Sequence, residues 1–167
     1  MYNAPMAKIT QLSLFIINRV KFRRLVLGIP AARISSFLKH NDNYVFNCEK
    51  NELEAQYPPH EYPKLANALD WTIEDLLPPD DWDIGDGTKV EKVVLSLANP
   101  VDARLVLEGM IENGFFSKPK SAADAMKHLY IDREEKKDEQ IVVDQVLAEL
   151  AKEGKLIVEN EKYMKND

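Results

Sequence analysis

The chain has 167 residues, 45% apolar and 30% charged, with a net charge of −6. No apolar run approaches the ~18 residues of a membrane span, and the single cysteine, Cys48, excludes a disulfide framework or a cysteine-rich zinc site within one chain. The start lacks the charged head and apolar core of a secretory signal, so a cytoplasmic protein is expected.

Charge is unevenly placed. Residues 1–41 hold Lys8, Arg19, Lys21, Arg23, Arg24, Arg33 and Lys39 and no acid, a block of +7, which leaves −13 for residues 42–167. Such a split fits a localised anion-binding face, or a solvated helix face whose counter-charges lie elsewhere in the chain.

In chain order, Ile9, Leu12, Ile16 and Val20 recur at helical spacing and predict a helix over 9–27. Gly28 offers a left-handed stop, and Pro30 pre-sets the turn of a second helix, 31–39, with Ile34, Phe37 and Leu38 inward. "HNDN" is a break in which Asn41 or Asp42 can cap a third helix running to about Asn51. After the rigid connector "YPPHEYP", residues 64–69 read as helix, and Thr72 with Asp75 opens a short fifth one. "PPDDWDIGDGT" has the composition of a linker. Beyond it, helices are expected over 89–98, 101–113, 121–130 and 140–152, followed by a hairpin in "KLIVENEKYM".

Asn43, Asn47 and Lys50 stand at i, i+4 and i+7, one face of the third helix. Two blocks then carry a family likeness. "VKFRRLVLGIPAARISSFLKHNDNYVFNCEKN" and "KLANALDWTIEDLLP" resemble the lambda-repressor/Cro-like (Xre) helix-turn-helix family, from Arg24 and Gly28 closing the first helix to Glu49 ending the motif. Lys39 stands where that family usually has glycine, and Ala31 where it often has glutamine. The likeness implies a third helix lying in the major groove. Asn43, Tyr44, Asn47 and Lys50 are then the candidate base contacts, and Arg19, Arg23, Arg24, Arg33 and Lys39 the candidate phosphate contacts. Glu49 is expected to hold structure, tied to backbone or to an arginine of the first helix.

The stretches "MIENGFFSKP", "AADAMKHLY" and "VVDQVLAELAKEGKLIVENEKY" resemble small winged-helix modules. The helix before the wing carries Asp138, Glu139, Asp144, Glu149 and Glu153 against Lys152, and residues 83–167 have a net charge of −5. Phosphate repels such a helix, so dimerisation or a protein partner is expected here, with Lys155, Lys162 and Lys165 on the hairpin keeping DNA open.

The expected fold is therefore mainly α: a five-helix repressor-like domain over 1–80, a linker over 81–88, and a winged-helix-like domain with a short hairpin over 89–167. His40, His60 and His128 are scattered, no glycine loop can cradle phosphate, and acid pairs sit in polar connectors. Neither an enzyme nor a metal or cofactor site is expected. The function expected is a DNA-binding transcriptional regulator acting on double-stranded DNA as a homodimer. A protein-interaction adaptor or antitoxin-like protein on the same fold is the alternative.

Overall fold

The computed structural model describes residues 4–167. The chain is mainly α, with eight α-helices and two small antiparallel sheets among the described residues. No helix of these is long and apolar enough to cross a membrane. The chain divides into two compact units, one of residues up to Arg24 with Ile29–Val94, the other of Leu25–Gly28 with Leu95–Asp167.

In the first unit, β1 (Lys8–Thr10) pairs with β2 (Lys89–Glu91), Ile9 opposite Val90. The first helix, α1 (Gln11–Leu27), begins two residues later than its apolar spacing predicts. The Thr10 hydroxyl accepts the Ser13 backbone N–H at 3.2 Å and caps it there. Gly28 takes φ 67, and α2 (Ala31–Phe37) follows Pro30. Next come α3 (Tyr44–Cys48), α4 (Tyr62–Ala68) and α5 (Ile73–Leu76). Ile16, Ile17, Val20, Ile34, Val45, Leu65, Leu69 and Leu76 form the centre of the core.

Residues 81–88, expected as a linker, connect α5 to β2 inside this unit, where Trp82 lies 5.0 Å from the Phe15 ring. The helix expected over 89–98 does not form. Residues 90, 92 and 94 turn inward with period two, as a strand requires. One of those inward positions is Lys92, which hid the period. Its ammonium group is buried and donates to the carbonyls of Leu53 and Ala55 at 2.7 and 2.8 Å. Apart from Leu25–Gly28, which belong to the second unit, the boundary between the units falls after Val94.

In the second unit, the Asn99 side chain accepts the N–H groups of Val101 and Asp102 and opens α6 (Pro100–Glu112). Then follow β3 (Lys120–Ser121), α7 (Ala122–Leu129), α8 (Lys137–Lys152), β4 (Leu156–Glu159) and β5 (Lys162–Lys165). The sheet order is β3-β5-β4. Val143, Val146, Leu147 and Leu150 of α8 are all buried, as their spacing predicts. The hairpin turns through Asn160 and Glu161, both with positive φ, the two-residue turn whose twist suits paired strands.

Both expected caps are present as reciprocal boxes. Asp75 accepts the Thr72 backbone N–H at 2.9 Å, and Asp124 accepts that of Ser121 at 2.9 Å. These backbone bonds hold both carboxyls below their ordinary range, helped by the cap hydroxyls. Because the folded values are lowered, the stabilisation is full above about pH 4 and fades as pH falls through the folded values. Asp75→Asn and Asp124→Asn should therefore lower the thermal midpoint at pH 7, with the gap to the parent closing below about pH 4. A gap independent of pH would contradict this.

The α2–α3 turn carries a second test. Lys39 sits at φ 61, a left-handed position that costs a side-chain-bearing residue energy glycine avoids. After glycine's greater unfolded-state entropy is deducted, Lys39→Gly should stabilise the chain by about 0.5–1 kcal/mol in urea unfolding.

Candidate nucleic-acid interface

The segment from α2 to α3 is built around backbone. At the end of α2 the Lys39 N–H donates to the Ser36 carbonyl and the His40 N–H to the Ser35 carbonyl, each at 2.9 Å. This is the paired closure that a left-handed residue after a helix permits. Ser35 is fully buried. Its hydroxyl donates to the Ala31 carbonyl and accepts the Val45 N–H, both at 3.1 Å. One hydroxyl thus fastens α2 to the first turn of α3. Asn43 occupies the cap position of α3, and its side chain makes no cap bond. Asn41, expected there, instead accepts the Asn43 N–H on its side-chain oxygen and the Tyr44 N–H on its carbonyl, both at 3.1 Å.

The third helix is shorter than expected, ending at Cys48 rather than near Asn51. Beyond it, the chain is drawn to the strands. The Asn51 carbonyl accepts the Ala7 N–H at 2.8 Å, and its side chain accepts that of Val94 at 2.9 Å.

Arg24, expected at phosphate, lies inside the unit at 2% exposure. It holds Glu49 with two bonds, Nε to Oε1 at 3.0 Å and Nη2 to Oε2 at 2.7 Å, and donates to the Ile29 carbonyl at 3.3 Å. Glu49 has the structural tie expected of it, and that tie removes Arg24 from any surface contact. Arg19 and Arg23 are committed as well. Arg19 donates to the Asp75 carbonyl at 2.7 Å and lies 4.4 Å from the Trp71 ring. Arg23 donates to the Leu69 carbonyl at 3.0 Å and lies 5.2 Å from the same ring. Burial weakens the proton affinity of both guanidinium groups, which stay charged. Their work is to satisfy carbonyls on α5 and at the end of α4.

Tyr44, expected among the base contacts, faces inward. Its hydroxyl donates to Glu61 Oε1 at 3.1 Å, the His40 ring stacks on it at 3.7 Å, and Tyr57 meets it edge-on at 5.9 Å. Burial raises its phenol well above the ordinary value. Glu61 also bonds His40 Nε2 at 2.8 Å. Cys48 is a core residue whose thiol burial pushes up to about 12, so it stays protonated.

Four expected contacts remain exposed: Arg33 on α2, Lys39 in the turn, Asn43 at the cap and Lys50 past the end of α3. Asn47 is half-buried on α3, and Lys50 lies outside the helix, so the expected face of three side chains is only partly helical. Sequence reasoning missed Ser35, Glu61 and Lys92. For Ser35 a signal existed, since it shares the inward stripe of Ala31, Ile34 and Leu38.

No protein-family model, no curated protein and no solved structure matches the chain.

The Arg24–Glu49 pair sets a prediction. Glu49→Ala leaves a buried guanidinium without its counter-charge and should cost about 3–5 kcal/mol in urea unfolding. The double replacement Arg24→Met with Glu49→Leu should recover most of that loss. A cost for Glu49→Ala below about 1 kcal/mol, the scale of an exposed pair, would contradict the sealed geometry.

Proposed function

We propose that the chain is a sequence-specific DNA-binding regulator whose first unit is a repressor-like helix-turn-helix domain. The observation that carries this reading is that two acids around α2 and α3 are held by partners inside the unit. Glu49 is taken up by Arg24, and Glu61 by His40 and Tyr44. What remains exposed between residues 29 and 50 is Arg33, Lys39 and Lys50 against the single acid Asp42, with His40 beside them. A cationic surface of this kind neutralises phosphate and releases counterions. Asn43 and Asn47, at the start of α3 and one turn on, supply the donors and acceptors for base edges. The order α2, tight turn, α3 and the Ser35 clasp support the helix-turn-helix reading.

For the second unit, the order α6, β3, α7, α8, β4, β5 and the sheet order β3-β5-β4 support the winged-helix-like reading. Its α8 exposes Asp138, Asp144 and Glu149, which favours a homodimer or protein partner over DNA at this helix. The reading implies a cytoplasmic protein.

The competing class, an interaction adaptor on the same fold, draws support from one observation. Three of the five arginine and lysine side chains first assigned to phosphate are spent inside the unit.

Fluorescence anisotropy with labelled duplex separates the two. Binding is expected to weaken steeply between low and moderate salt. Arg33→Ala, Lys39→Ala and Lys50→Ala should each weaken binding on every sequence and lower the salt slope by about 1. Asn43→Ala should instead flatten the preference between sequences. An absence of binding at low salt would decide for the adaptor.

A further inference from the structure

The strand β4 is one of the two edges of its sheet, and the longer, the other being the two-residue β3. Edge strands usually carry a proline, a bulge or a central lysine that blocks further pairing. This one carries none of them: Leu156, Ile157 and Val158 are apolar, and the charges lie at its ends, Lys155 and Glu159. Ile157 and Val158 are 43% and 49% exposed.

The pairing of β4 with β5 fixes which backbone groups face outward. Leu156 stands opposite Lys165 and Ile157 opposite Met164, and the Asn166 N–H donates to the Lys155 carbonyl at 3.3 Å. Lys155 therefore turns its backbone polar groups toward β5. Alternation along an antiparallel strand turns Ile157 and Glu159 the same way and leaves those of Leu156 and Val158 aimed at the open edge.

From this we infer that the occupant of the edge is β4 of a second copy, antiparallel, with a two-fold axis through Ile157. A symmetric pairing must match the strand with itself, and edge-facing residues must meet edge-facing residues. Three registers satisfy this, centred on Leu156, Ile157 or Val158. Centring on Leu156 sets Lys155 against the second copy's Ile157. Centring on Val158 sets Ile157 against the second copy's Glu159. Centring on Ile157 sets Leu156 against Val158, Ile157 against itself, and Lys155 against Glu159 at both ends. Only this register matches apolar with apolar and charge with opposite charge.

Two details fit it. The Ile157 pair falls at a position without direct hydrogen bonds, where facing side chains come closest. Lys155 now lies 3.2 Å from Glu108 Oε1, but that same oxygen accepts Arg104 Nε at 2.7 Å. Glu108 keeps a cation when Lys155 turns to the second copy.

This interface deepens the dimer part of the proposed function and rests on it. Sedimentation velocity without DNA tests it apart from DNA binding. The full chain is expected to show a weak, concentration-dependent dimer with a midpoint of about 10–100 μM, as suits a small interface. Ile157→Lys and Ile157→Glu each bring like charges onto the axis and should each raise the midpoint at least about tenfold, with circular dichroism unchanged. An equimolar mixture of the two variants should recover the dimer, because opposite charges then meet. A chain that is monomeric throughout, a midpoint untouched by both substitutions, or a mixture no more associated than its components would each overturn the inference.

Discussion

Arg24 and Glu49 meet inside the first unit, where neither can exchange its partner for water. The fork of the guanidinium matches both carboxylate oxygens, and its remaining nitrogen holds the Ile29 carbonyl. One side chain from α1 thereby fixes the end of α3 and the entry to α2. Breaking such a pair from one side strands a charge in the core, which is why so much of the unit depends on it. The pair also sets the surface. With Glu49 turned inward and Glu61 occupied by His40 and Tyr44, the outer side of α2, the turn and α3 is left with cations in excess. Packing and surface charge are the same event here, and the proposed DNA contact follows from it.

The second unit is held differently. Two of its helices start on side-chain caps, at Asn99 for α6 and at Ser121 with Asp124 for α7, and its core is largely apolar. Glu139 is its buried acid, bonded by the Tyr130 hydroxyl and lying 3.4 Å from the Arg133 guanidinium. It therefore does not belong to the exposed acidic face of α8. The open strand β4 gives this unit the edge at which the pairing of two copies is proposed.

Much of this was legible in the sequence where local chemistry decides. The reciprocal caps at Thr72 and Ser121, the stop at Gly28 and the inward face of α8 follow from short-range rules that tertiary packing did not override. The tie of Glu49 to an arginine of the first helix was legible too. What escaped was the direction of long side chains. Arg19, Arg23 and Arg24 look alike as charge, yet each reaches a specific carbonyl or carboxylate brought near by folding. Tyr44 stands beside groove-facing candidates in sequence, and its ring points the other way. Lys92 misled most. A lysine at the inward position just past β2 breaks the apolar alternation that would have marked the strand, and its burial depends on two carbonyls some forty positions earlier. Lys39 marks the opposite case, where a residue bearing a side chain holds the left-handed turn that glycine would adopt more readily.

The central claim is that folding buries Arg24, ties Arg19 and Arg23 to carbonyls of α5 and the end of α4, and leaves the α2–α3 segment for the proposed DNA contact. Nitrogen-15 chemical-shift mapping of the full chain against a duplex tests it most directly. The account predicts that the amides of Arg33, Lys39, Asn43, Asn47 and Lys50 move while the Arg24 Nε–H signal stays in place. Shifts concentrated at Arg19, Arg23 and Arg24, or along α8, would contradict it.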